Sequence, residues 1–305
     1  MEKWFEDKLE KKNLRKYTKR RLSKNRARLS RISRKFSVTN WLIIVNVIVF
    51  FFLHLSAGLK TITQEEILSN FALQANALFS GAYWTLLTSM FTHFLLTHLI
   101  FNVISLFFIG NLLEKIIGRK KYLWFYLLSG LFAGIFAAVL SFYFGRTELG
   151  AKVFIDPTMY SVGASGAIFG IAGLLAILTP KLRVYLIAGP VFAFISLAVL
   201  ASIFPESSFL PLITLLIYFY VFYSIFAIFS PNAKTRKIAM PIGMPFWVLP
   251  IIAIVPLVIV GLLVPGGLPI GNTAHLGGLI AGLAYGVYLK HKYKKKTTLI
   301  RNYFQ

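Results

Sequence analysis

Four polar side chains set in apolar surroundings carry the chemistry open to this sequence. Ser165 stands in "SVGASGAIFG" (161–170), His275 lies in "AHLGGLIAGLAYG" (274–286), and His98 and Asn102 lie in "HFLLTHLIFN" (93–102). A serine hydroxyl beside an imidazole is a nucleophile with its general base, provided the two come within about 2.6–3.2 Å. His98 and Asn102, spaced i and i+4, project from one helix face. With the backbone N–H of a nucleophile at a helix start, they could receive the negative charge that acyl transfer builds on a carbonyl oxygen. Singly, each residue has a plainer reading: a serine in a membrane helix bonds its own backbone, and a lone histidine or asparagine joins helices.

Shared depth and neighbouring glycines set these residues apart. Ser165 precedes Lys181 by 16 residues, His275 precedes Lys290 by 15, and His98 and Asn102 precede Lys115 by 17 and 13. On helices running the same way, at about 1.5 Å per residue, the four groups fall within roughly 6 Å of one height. That height is about 20–25 Å from the basic ends. Gly278, Gly282 and Gly286 recur every four residues after His275, and Gly166, Gly170 and Gly173 form a similar small-residue face after Ser165. Two such helices can pack backbone to backbone, which is what would bring the hydroxyl to the imidazole. No Asp or Glu is placed to orient His275, so a two-residue dyad is expected rather than a Ser-His-Asp arrangement.

The elements that must position these groups follow from composition. The chain has 305 residues, 57% hydrophobic and 14% charged, and its mean hydropathy is +0.71. It is expected to be an all-α polytopic membrane protein, since a backbone in hydrocarbon must satisfy its own polar groups and no alternating strand pattern is present. Spans are read at 41–57, 92–113, 122–145, 164–180, 182–204, 208–230, 245–264 and 274–290. With eight spans, the basic stretches at 1–40, 114–121, 181–183, 232–237 and 290–296 share one side, so both termini are expected to be cytoplasmic. Residues 1–40 form a basic arm with fifteen Lys or Arg against four acids. The arm anchors the terminus and attracts anionic lipids; without aromatic interleaving or a fold signature, nucleic-acid binding is not expected. Residues 41–290 form the membrane domain, and 291–305 a basic cytoplasmic tail. The outer loop 58–91 suggests an interfacial helix in "EEILSNFALQANALFSGAYW".

The inventory of reactive groups excludes several classes. There is no cysteine, hence no thiol nucleophile or thiolate metal site. The ten acids are Glu2, Glu6, Asp7, Glu10, Glu65, Glu66, Glu114, Glu148, Asp156 and Glu206, none expected in mid-helix. A proton-coupled transporter or an intramembrane aspartyl protease would need carboxylates there. His93 and His98 have no carboxylate or cysteine to complete a metal site, and no cofactor is implied. His54 and His291 have no partner at the level of the site and read as structural or solvated.

The motifs "HFLLTHLIFN", "GASG" and "AHLGGLIAG" together resemble those of the rhomboid family of intramembrane serine proteases, over roughly residues 41–180 and 240–290. The resemblance implies a rhomboid-like bundle of six core transmembrane helices, here with two more, about 182–230, inserted between core helices four and five. It implies Ser165 as nucleophile, His275 as general base, and His98 with Asn102 stabilising the oxyanion. His93, Gly163, Gly166, Phe169, Gly278 and Gly282 are supporting residues. On a continuous helix His93 would stand about 140° from His98, so only the resemblance brings it in. The implied activity is cleavage of transmembrane segments of membrane proteins near the outer interface, through an acyl-enzyme. The setting is a cell membrane of prokaryotic plasma-membrane type, with the site opening to the extracytoplasmic side. The alternative is an inactive rhomboid-like protein that binds membrane clients, although such relatives lack the serine or the histidine. Two departures from the family pattern stand out: Thr85 follows Tyr83-Trp84 where members carry Trp-Arg, and Phe169 replaces a tyrosine beneath the catalytic histidine.

Overall fold

The computed structural model describes residues 36–228, 230–263 and 271–304. Most of the basic arm (1–35) and most of the expected loop 265–273 lie outside the described residues.

Helix α1 (Val38–Gly58) starts at Ser37, whose hydroxyl accepts from the Asn40 amide. Its first two amides donate to the carboxylate of Glu114, each at 2.9 Å, and the Thr39 hydroxyl adds a third bond at 2.8 Å. An acid read as part of a basic loop is therefore buried against a helix N-terminus, where the partial positive charge of the unpaired N–H groups favours it. Arg119 lies 3.5 Å from the same carboxylate.

The outer segment is three short helices rather than one: α2 (Gln64–Phe71), α3 (Ala75–Phe79) and α4 (Thr85–Thr88). Thr63 and Glu66 close α2 with a reciprocal capping box. Gly81, at φ 111°, turns the chain between α3 and α4. Leu73, Ala75 and Leu78 pack on Ala138 of the bundle, while Phe79, Tyr83, Trp84 and Leu87 of the same segment are exposed. Thr85 is fully buried and donates to the Ala82 carbonyl, while the Trp84 indole donates to the Asn70 carbonyl at 3.0 Å. These bonds anchor the segment in the absence of an arginine at Thr85.

The span expected over 92–113 begins later, at α5 (Leu96–Ser105). It passes through a π-helical turn (Leu106–Gly110) into α6 (Asn111–Ile117). Gly118, at φ 84°, reverses the chain into α7 (Arg119–Phe144). The buried face of α7 runs Tyr122, Phe125, Tyr126, Ser129, Gly130 and Ala133, at the spacing of a helical stripe. After α8 (Glu148–Phe154) comes α9 (Ser165–Leu178), which is buried on nearly every side and forms the centre of the core.

The inserted region departs from an all-α fold. Arg183–Ile187, expected to open a helical span, is strand β1, followed by α10 (Ala188–Ile203), α11 (Leu210–Ala227) and α12 (Ala233–Ile238). Strand β2 (Pro241–Pro245) pairs antiparallel with β1, from Arg183 opposite Pro245 to Ile187 opposite Pro241. β-Branched and aromatic residues suit β1, and the two prolines, lacking an N–H, sit at the ends of an edge strand. This ribbon closes the base of the inserted helices, and Phe194 of α10 meets Phe101 of α5 edge to face at 5.5 Å.

The chain then runs through a 3-10 turn (Phe246–Val248), α13 (Leu249–Leu263), α14 (Asn272–Lys292) and α15 (Lys294–Tyr303). Among the described residues, four helical segments are long and apolar enough to cross a membrane by length and composition: Val38–Gly58, Leu96–Ile117, Arg119–Phe144 and Leu210–Ala227.

Candidate active site

Ser165 is the first residue of α9, and His275 is in the first turn of α14. Their helices meet along glycines. A Cβ added to Gly278 would lie 1.9 Å from the Gly166 carbonyl oxygen, and one on Gly282 would lie 2.1 Å from that of Gly170. Any side chain there would force the helices apart. Gly166 and Gly170 also face α7, where an added Cβ would meet Ala133 and Ser129 at 2.8 and 2.7 Å. The glycines of α9 thus serve two contacts at once: their carbonyls lie against α14 and their Cα faces against α7.

At the top of this contact, His275 Nε2 stands 2.8 Å from Ser165 Oγ. With Nε2 as acceptor, the ring proton belongs on Nδ1. That Nδ1 is buried with no partner among the described residues, so no carboxylate orients the ring. Phe169, one turn along α9 from Ser165, stacks on the imidazole at 4.4 Å and 19° between planes. Thr273 donates to the Val153 carbonyl at 3.1 Å and pins the start of α14 to α8.

The second half of the site converges on Gly163. Its φ of 121° is a conformation that side-chain-bearing residues rarely adopt, and its amide donates to the Ser89 carbonyl at 2.8 Å. A Cβ at Gly163 would lie 2.6 Å from His98 Cε1 and 3.5 Å from Asn102 Nδ2, so the glycine leaves these side chains their place. His98 is half-buried and Asn102 buried.

His93 is the residue that sequence geometry undervalued. The 140° separation assumed a helix through residue 93, whereas α5 begins at Leu96 and His93 lies in the preceding turn. From there its fully buried ring packs edge-on against His98 at 5.0 Å. Its Nε2 accepts from Asn102 Nδ2 at 2.9 Å and from the Ala164 amide at 3.5 Å, tying the asparagine to the start of α9. His54, assigned no partner at the site, also reaches this turn: its Nε2 is 3.1 Å from the Phe94 carbonyl and its Nδ1 2.8 Å from that of Phe50. A contact across 40 residues left no local signal in the sequence.

A family model described as "Rhomboid domain" matches residues 80–210 and 220–292. Rhomboid protease GluP of Bacillus subtilis (strain 168) is 33% identical over 142 residues, covering 46% of this chain and 24% of that protein. Rhomboid protease AarA of Providencia stuartii is 33% identical over 140 residues, 45% of this chain and 48% of that protein. RHOMBOID-like protein 12, mitochondrial, of Arabidopsis thaliana is 31% identical over 130 residues, 42% of this chain and 39% of that protein. The matches span less than half the length of each of these relatives. With its apolar helices and a family match over most of its length, this multi-pass membrane chain belongs to the rhomboid family.

Proposed function

We propose that the chain is a serine endopeptidase that cuts transmembrane segments of other membrane proteins, using Ser165 and His275 as a dyad. The observation that carries this is the 2.8 Å approach of His275 Nε2 to Ser165 Oγ, across a helix contact that admits only glycine. His275 takes the hydroxyl proton as Oγ attacks the scissile carbonyl carbon, forming the C–O bond. The resulting oxyanion is met by Asn102, His98 and the Ser165 backbone N–H. His275 then returns the proton to the leaving amine as the C–N bond breaks. Water, activated by the same imidazole, hydrolyses the acyl-enzyme and frees Ser165. Asn102 gives one amide hydrogen to His93 and keeps the other for the oxyanion.

The topology that suits this chemistry has eight spans, six core and two inserted, with both termini cytoplasmic and anionic lipid around the basic arm. Helices on all eight stretches support it. So does the shortness of α9: its 14 residues rise only about 21 Å, less than the roughly 30 Å of hydrocarbon. With its far end at the cytoplasmic face, Ser165 lies recessed below the outer surface, within reach of a substrate helix near its outer end.

The test is cleavage of a single-span protein with a helix-destabilising outer end by the purified chain. Parent protein should cut it, and Ser165→Ala and His275→Ala should be slower by about 10³-fold or more. A client-binding protein without activity would hold the substrate uncut, and variants as active as the parent would remove both residues from the mechanism.

A further inference from the structure

A groove of about 510 Å³ opens between α7 and α14 and runs from Lys120 and Lys121 along α7 to Phe132. Its walls are aromatic and aliphatic: Trp124, Leu128 and Phe132 on one side, Tyr285 on the other. Phe125 lines it as well and stacks on Tyr285 at 5.2 Å. Trp124 and Leu128 are among the most exposed apolar residues of α7, at 64% and 59%, and none of the described segments covers them.

The mouth of the groove is cationic. Lys120 and Lys121 line it, and Lys121 and Lys292 flank one Tyr293 ring at 5.4 and 5.8 Å from its centroid. Between Asn272 and Gln305 the sequence contains no Asp or Glu. The nearest acid in sequence to the lysines of α7, Glu114, is already engaged by Arg119 and the start of α1. Lys292 follows His275 by 17 residues, so the mouth lies about 25 Å along α14 from the dyad. An apolar slot whose lysines have no carboxylate partner among the described residues complements an amphiphile with a negative head and a hydrocarbon tail.

We propose that this groove is a binding site for an anionic glycerophospholipid. Its phosphate sits among Lys120, Lys121 and Lys292, and one acyl chain lies along Trp124, Leu128 and Phe132. The lipid would bridge α7 to α14 at the end of the bundle opposite the site, independently of any proteolytic activity.

The experiment is native mass spectrometry and thermal unfolding of the full chain in detergent. Phosphatidylglycerol and phosphatidylcholine of matched chains are offered, with inorganic phosphate as a further arm. Phosphatidylglycerol should be retained preferentially and raise the unfolding temperature more than phosphatidylcholine. The double variant Lys120→Gln/Lys121→Gln should lose about tenfold or more of that preference, each surface lysine being worth about fivefold. Ala281→Phe, which fills the groove without changing charge, should lower retention too. Equal retention of the two lipids, unchanged binding in both variants, or stabilisation by phosphate alone equal to that by the lipid would overturn the proposal.

Discussion

Gly278→Ala puts the helix contact beneath the dyad to the test. The added Cβ would lie 1.9 Å from the Gly166 carbonyl oxygen, where ordinary contact begins at 3.4 Å, so α9 and α14 must part locally by about 1.5 Å. Gly278 is three residues from His275 and Gly166 is next to Ser165, so the displacement falls almost at the chemistry. Added to a 2.8 Å separation, even two-thirds of it takes the pair out of the hydrogen-bonding range of about 2.6–3.2 Å. A misplacement of about 1 Å can cost roughly 100-fold in rate. Turnover of the single-span substrate and the rate of labelling by a serine-reactive phosphonate should therefore both fall by about 100-fold. Gly286→Ala comes nearest to the Ile177 side chain, at 2.8 Å, and lies far down α14; it should cost less than about tenfold in rate. Gly58→Ala meets nothing within 4 Å and should behave as parent. A Gly278→Ala protein that labels at the parental rate would refute the claim that this contact sets the Ser165 to His275 distance.

Three further outcomes follow from the site and its surroundings. Phe169→Tyr should retain activity within about threefold because the stacked ring is kept, whereas Phe169→Ala should lose about tenfold in kcat by freeing His275 to rotate. His54→Phe keeps an aromatic ring on Phe50 but loses the bond to the Phe94 carbonyl; kcat should fall several-fold with KM unchanged, and His54→Gln should restore part of it. Glu66 is held below the usual carboxylate range by its bonds to the Thr63 backbone and side chain. The cap is therefore complete above the unfolded carboxylate's pKa and is lost as pH falls through the lowered folded value. Hydrogen exchange over Gln64–Ile67, corrected for intrinsic rates, should show that loss, and Glu66→Gln should flatten it.

Much of the candidate site was legible in the sequence because membrane helices make polar residues conspicuous. Ser165, His275, His98 and Asn102 stood out against apolar neighbours, and the glycine spacing pointed to the α9–α14 contact. The second role of Gly166 and Gly170, facing Ser129 and Ala133, needed a third helix in place. His93 was undervalued because "THFLL" continues an apolar run with no breaker, so nothing local marks the turn that ends at Leu96. Strand β1 was hidden for a related reason: "RVYLI" reads equally well as the start of an apolar helix, and its partner lies more than fifty residues on. Glu114 was read only as part of the basic stretch 114–121 because its partners, the first amides of α1, are 75 residues away.

The most direct measurement of the central claim is the intact mass and peptide map of the purified chain after treatment with a serine-reactive phosphonate. One adduct is predicted, on Ser165, absent from Ser165→Ala and at least about 100-fold slower to form in His275→Ala. An adduct on another residue, or equal labelling of the His275→Ala protein, would contradict a nucleophile activated by that imidazole.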